Sequence, residues 1–169
     1  MKITFRTVCL LAFIVICLML GFATYLQEHV HISPCPLCIF QRFTFMVLGV
    51  IFLAGVLLPS RRWLNLIISA LAYVYALAGA LLAGRQIWLQ HLPPNQMSDC
   101  GASLEYMMRI LPLQQVLQKV LAGSAECSLV DWRFLGMSLA EWSFLSFSAF
   151  LFLTAWLFFS SLRQRKVFI

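Results

Sequence analysis

Four long apolar runs decide what this 169-residue chain can become: residues 8–25, 37–58, 63–82 and 142–160. Each has 18 to 22 residues. A helix rises about 1.5 Å per residue, so about 20 residues cross a ~30 Å hydrocarbon core. The chain is 62% hydrophobic and only 11% charged, against about 25% charged residues in an ordinary soluble domain. That much apolar surface does not fit inside one soluble core. Backbone polar groups in lipid must be satisfied within the chain, and four single runs achieve this as helices. Period-two alternation is absent, which argues against a β-barrel. The first run is longer than the 7–15-residue core of a signal peptide and lacks an Ala-x-Ala-like site, so it reads as a retained helix. The expected fold is an all-α membrane protein, a four-transmembrane-helix bundle, with a long loop over residues 84–141.

Charge placement sets the expected orientation. Lys2 and Arg6 precede the first run, Arg61 and Arg62 join the second to the third, and Arg163, Arg165 and Lys166 follow the fourth. These are seven of the twelve basic residues, with no acid among them. The six acids, Glu28, Asp99, Glu105, Glu126, Asp131 and Glu141, all fall in or beside the other connections. The positive-inside rule then places both termini in the cytoplasm and the loops 27–34 and 84–141 on the opposite face. The net charge of +6 reflects topology and gives no reason to propose nucleic-acid binding.

Six cysteines divide by place. Cys9 and Cys17 lie inside the first run, eight apart, and read as small packing residues on roughly one helix face. Cys35, Cys38, Cys100 and Cys127 all fall on the non-cytoplasmic side. In a bacterial inner membrane that side is the oxidising periplasm, where disulfides persist. Four cysteines allow three connectivities. The economical one pairs Cys35 with Cys38 and Cys100 with Cys127.

Cys35-Pro36-Leu37-Cys38 opens the second run. Proline suits the first turn of a helix, where its missing N–H would be unpaired anyway. Sulfurs at i and i+3 face one side, and a helix N-terminus favours a thiolate. Arg42 lies one turn deeper on that face. An ionisable group at this depth costs several kcal/mol, roughly 2.5–3.5 on insertion scales, and marks a functional site by default. It is placed to stabilise a thiolate on Cys38 or a reduced oxygen anion on a membrane ligand. Within the long loop, Leu113, Val116, Leu117, Val120 and Leu121 follow helical spacing, with Gln114, Gln115, Gln118 and Lys119 opposite. Pro112 opens this short amphipathic helix. It would lie on the outer leaflet or pack on the bundle. Asp99-Cys100-Gly101 reads as an exposed turn.

The motif Cys35-Pro-Leu-Cys38-Ile-Phe-Gln-Arg42, then Cys100, then Cys127 followed by Asp131-Trp132-Arg-Phe-Leu-Gly136, resembles the bacterial disulfide bond formation family DsbB. The resemblance covers nearly the whole chain in helix count, loop order and cysteine order. Family members often carry a Tyr-Glu or similar pair before the arginine, where this chain has Phe40-Gln41. The resemblance implies a quinone-linked thiol oxidase of the inner membrane. A reduced DsbA-like partner would attack the loop disulfide at Cys100, Cys127 would pass the electrons to the Cys35–Cys38 pair, and Cys38 beside Arg42 would meet ubiquinone or menaquinone from the membrane pool. The DsbA–DsbB–quinone route is an established means of keeping the periplasm oxidising. A DsbA-like oxidant sits near −120 mV and thioredoxin near −270 mV, a gap of about 7 kcal/mol, so recharging it calls for a sink such as a quinone. His91 and Arg85, at the outer end of the third run, are further candidates for the quinone site. Trp132 would line the approach of Cys127 or anchor the loop in the interface.

Three other classes share some of these features. A vitamin K epoxide reductase-like enzyme carries its Cys-x-x-Cys on the last helix, not on the second of four. A structural membrane protein would use its disulfides only to hold loops. Four thiolates binding zinc would be expected as two close pairs, which Cys100 and Cys127 are not.

Overall fold

A computed structural model describes residues 4–29, 35–91 and 133–163, together with 109, 112, 114–116 and 118 of the intervening segment. Four long helices dominate: α1 Phe5–His29, α2 Pro36–Leu57, α3 Arg62–Gln90 and α4 Leu139–Arg163. All four are long and apolar enough to cross a membrane. Their flanks are reversed from those of a soluble protein, with Leu11, Leu18, Phe43, Val50, Leu81 and Phe152 among many large apolar side chains turned outward. These surfaces fit lipid, and the chain is a multi-pass membrane protein.

Three of the four helices outrun their apolar runs, and α2 matches its run in length. The largest extension is at α3, which continues past Leu82 to Gln90. Nothing in Gly84-Arg85-Gln86 breaks a helix, and Leu89 is buried, so packing carries the helix beyond the apolar segment.

Helix ends leave unpaired carbonyls. At one end of the bundle, arginines from neighbouring helices supply donors. Arg6 donates to the Leu58 carbonyl at the end of α2 (2.8 Å). Arg62 donates to the Leu162 carbonyl at the end of α4 (3.1 Å). The basic residues that set the expected orientation thus also close two helices. Within the apolar spans, hydroxyls bond one turn back along their own helix, as Ser146 to Trp142, Thr154 to Phe150 and Ser161 to Leu157, each at 2.8 Å.

α3 packs most extensively on α4, and α2 lies between α1 and α3. The α3 surface is made of small buried residues, Ala72, Ala76, Gly79, Ala80 and Ala83, which let backbones approach where no hydrophobic drive between helices exists. α2 and α4 meet through rings. Phe45 stacks on Phe147 at 3.9 Å and meets Phe150 edge-on at 6.4 Å. Phe147 fills the space that glycine leaves at 79. A Cβ there would lie 2.2 Å from the ring.

Cys9 is fully buried, and a Cβ on Gly55 would come within 2.8 Å of its sulfur. Cys17 is exposed. The expectation of one shared face is corrected here. Eight residues at about 100° each leave the two side chains about 80° apart, enough to put one in the core and the other toward lipid.

Gly79→Ala should therefore destabilise the bundle by about 1–3 kcal/mol, the usual cost of overpacking. Denaturant midpoints in detergent measure it. Adding Phe147→Leu should recover part of the loss.

Candidate active site

The thiol pair begins with a helix cap. Cys35 is the N-cap of α2 with extended backbone, and Pro36 follows as the first helical residue. The Cys38 backbone N–H donates to Cys35 Sγ at 3.3 Å. The two sulfurs lie 2.8 Å apart, and side-chain rotation can bring them to the ~2.05 Å of a disulfide. Cys35 is buried, whereas Cys38 is partly open. The i, i+3 spacing thus produces one sulfur turned inward and one accessible.

Cys38 opens on a cavity of about 430 Å³ between α1, α2 and α4. Met19, Leu20 and Ala23 of α1 form one wall, and Phe45 of α2 and Trp142 of α4 form others. Cys38, Gln41 and Arg42 bring the principal polar groups, with Ser143 and Ser146 from α4. α1 and α4 do not pack closely on one another, and the cavity occupies the gap. Half-exposed Phe22 and Phe134 stand among its lining residues.

Arg42 is held by α1. It donates to the Ala23 carbonyl at 3.1 Å and to Gln27 Oε1. A neighbouring acid is not required, because a carbonyl and an amide oxygen fix the guanidinium while its charge stays beside the cavity. Those bonds occupy two of its five N–H donors.

A deeper pair of amides backs the sulfurs. Gln41 and Gln86 are both buried. Gln41 Nε2 donates to Gln86 Oε1 at 2.7 Å, and Gln86 Nε2 lies 3.1 Å from Cys38 Sγ and 3.4 Å from Cys35 Sγ. Sequence reasoning missed Gln86. It sits just past an apolar run, and only the helical continuation of α3 turns it toward α2.

The structure does not bring His91 or Arg85 to the cavity. His91 is the exposed C-cap of α3, its ring nitrogen 2.8 Å from the Ile87 carbonyl. Arg85 lies over the Trp88 ring, 4.9 Å from its centroid. Cys100, Cys127 and Trp132 lie outside the described residues. So does most of the expected amphipathic helix, but its described part is informative. Gln115 and Val116 N–H groups bond the Pro112 carbonyl, so a helical turn opens at this proline. Val116 is buried in a cluster with Cys35, Leu37 and Leu89, while Gln114, Gln115 and Gln118 are exposed. This face packs on the bundle, directly over the thiol pair.

A two-stranded hairpin precedes α4. β1, Arg133–Phe134, pairs antiparallel with β2, Met137–Ser138. Its turn residues Leu135 and Gly136 both have positive φ (53° and 82°), the mark of a type I′ turn, where glycine fits and leucine is strained. Trp142 Nε1 donates to the Phe134 carbonyl at 3.2 Å, which ties the hairpin to the cavity wall. Ser138-Leu-Ala-Glu141 is a capping box. The Ser138 N–H donates to Glu141 Oε2, and the Glu141 N–H donates to Ser138 Oγ at 3.4 Å. Ser138 Oγ also donates to Gln90 Oε1 at 2.9 Å, fastening α4 to α3. This Ser-x-x-Glu signal was available in the sequence.

A family model described as disulfide bond formation protein DsbB matches residues 5–157. Curated relatives are similar along most of their length. The disulfide bond formation protein B of Hahella chejuensis is 42% identical over 148 residues, 88% of this chain and 90% of that one. That of Acinetobacter baumannii is 41% identical over 157 residues, 92% of each chain. The disulfide bond formation protein B 1 of Pseudomonas aeruginosa is 42% identical over 150 residues, 86% of this chain and 90% of that one.

Ser138→Ala removes the cap and the tie to Gln90 together. It should cost about 1 kcal/mol, typical of a lost N-cap. Hydrogen exchange at the first-turn amides of α4 should quicken about fivefold, while the α3 amides at 72–80 keep their rates.

Proposed function

This chain belongs to the disulfide bond formation protein DsbB family, and from that premise we propose that it is a quinone-linked thiol oxidase of the bacterial inner membrane. One observation carries the reading. A close thiol pair at a helix start opens, through Cys38, onto an apolar cavity with an arginine on its wall. Thiols that meet both water and lipid suit electron transfer between a soluble dithiol and a membrane-dissolved acceptor.

The residues divide the work. A DsbA-like partner presents a thiolate that attacks Cys100 of a Cys100–Cys127 disulfide and expels Cys127. The partner's second thiolate then releases Cys100, leaving the partner oxidised and the loop pair reduced. Cys127 attacks the Cys35–Cys38 disulfide, and completion of the exchange by Cys100 moves two electrons to the membrane pair. Val116 supports this route, because it holds the loop segment against Cys35.

The cavity fits a quinone ring. Its walls are mainly apolar, its volume is about 430 Å³, and its cationic group lies on the same helix face as Cys38. Ubiquinone or menaquinone would supply a two-electron, two-proton sink there. Phe45, Leu20 and Trp142 would hold the ring and exclude water. Arg42 would offer N–H donors to a carbonyl oxygen, and Cys38 would present the reacting sulfur. Basic residues gathered at the opposite end of the bundle support cytoplasmic termini, with Cys35 and Cys38 at the periplasmic boundary.

Cys38→Ser should abolish quinone reduction by a reduced periplasmic dithiol, followed as loss of quinone absorbance. Turnover at the parent rate would sink the oxidase reading. Cys127→Ser should accumulate a mixed disulfide between Cys100 and the partner, visible on non-reducing gels, and a link through another cysteine would reverse the roles of the loop pair. Arg42→Met should raise the KM for quinone about tenfold, as expected for a lost charge-assisted hydrogen bond.

A further inference from the structure

Gln41 and Gln86 are long polar side chains at 3% and 4% exposure, where an unbonded amide would be costly. Their arrangement has a direction. An amide has a donor end and an acceptor end. Because Gln41 Nε2 occupies Gln86 Oε1 at 2.7 Å, the other end of Gln86, its NH2, must face the sulfurs. There it lies 3.1 Å from Cys38 and 3.4 Å from Cys35. Sulfur in a disulfide is a weak acceptor, and a thiolate is a strong one. A donor fixed at this point favours the reduced pair over the oxidised one.

We propose that Gln86, locked in orientation by Gln41, is a positioning residue that sets the redox poise of the Cys35–Cys38 pair by donating to its reduced sulfurs. The inference rests on the thiol-oxidase reading and adds a tuning device to it. Reduction of the membrane disulfide takes two electrons from the Cys100/Cys127 dithiol, which becomes a disulfide. Of the two protons released, one goes to Cys35 and the other to solvent, leaving the negative charge on Cys38. The Gln86 N–H meets that charge. Both groups of the relay are neutral amides, so the donor stays in place across the pH range in which thiols titrate. An acid at position 41 would not give this constancy. The relay makes the membrane pair more oxidising than a bare Cys-x-x-Cys at a helix start, which favours electron entry from the loop.

The test uses the full chain in detergent with quinone extracted. The Cys35–Cys38 pair is equilibrated in graded reduced and oxidised glutathione, quenched with a maleimide, and read by mass spectrometry of the peptide containing both cysteines. Gln86→Met, matched in volume, should move the equilibrium constant about tenfold toward the disulfide, as for loss of a hydrogen bond to a charged group. It should also slow alkylation of Cys38 in the reduced protein. Gln41→Leu should move the equilibrium in the same direction by about threefold, because the Gln86 amide is then free to turn. An equilibrium within 1.5-fold of the parent in either variant, at unchanged helical circular dichroism, would overturn the proposal. If Gln86→Met does not fold, Gln86→Leu carries the same expectation and the same criterion. The readout needs neither partner nor quinone. A missing shift alongside intact quinone reduction would remove the relay alone, whereas a clear shift in a protein whose Cys38→Ser variant still reduces quinone would remove the oxidase reading alone.

Discussion

Every backbone N–H and C=O inside a membrane must find a partner within the chain, and this obligation organises the molecule. Along the spans, helices meet it with their own ladders. At their ends the ladders run out, and side chains take over. Arg6 and Arg62 serve the carbonyls at one end of the bundle. At the other end, Cys35 receives the Cys38 N–H and Ser138 receives the Glu141 N–H. The thiol pair is thus a variation on a requirement that every helix start in the bundle faces. A sulfur acts as the cap, and the cap is also the proposed redox centre.

The cavity follows from the sizes of side chains. Alanines and Gly79 draw α3 against α4, while phenylalanine rings, Phe45 stacked on Phe147 and Phe52 tilted against Phe150, space α2 from α4. α1 packs on α2 and leaves its flank toward α4 uncovered. Small residues on one side and rings on the other produce a slot at the thiol end of the bundle, and Arg42 reaches its wall because α1 offers the Ala23 carbonyl as an anchor.

Much of this was legible in the sequence. Apolar length located four helices, because nothing shorter spans a bilayer. Pro36 and the i, i+3 spacing located the thiol pair at a helix start, because proline at that position has few other uses. Pro112 marked the turn that seats Val116. Other features depended on packing. α3 runs to Gln90 because Leu89 is buried, and hydropathy does not report that burial. Gln86 meets the sulfurs only through the relative register of α2 and α3. His91 and Arg85 lie near the thiol end of α3, but the cavity is walled by α1, α2 and α4, so neither residue reaches it. The hairpin was overlooked although Leu135-Gly136 and the Ser138–Glu141 box both announce it, because two-residue strands leave no periodic pattern.

α3 is an unbroken rod of 29 residues, about 43 Å long, and it works as a ruler. Arg62 stands at one boundary, and Gln86, 24 residues on, stands about 36 Å away. The hydrocarbon core is about 30 Å thick, so with Arg62 among the headgroups the sulfurs beside Gln86 sit just outside the opposite edge. Their wetting then depends on the bilayer itself. In the proposed relay, a membrane a few ångströms thicker would submerge the thiols and slow their exchange with an aqueous dithiol, and a thinner one would lift the cavity mouth out of the lipid through which a quinone would enter. Hydrophobic mismatch would thereby control the proposed chemistry, which reconstitution into lipids of graded chain length would reveal as an optimum in turnover at a single thickness.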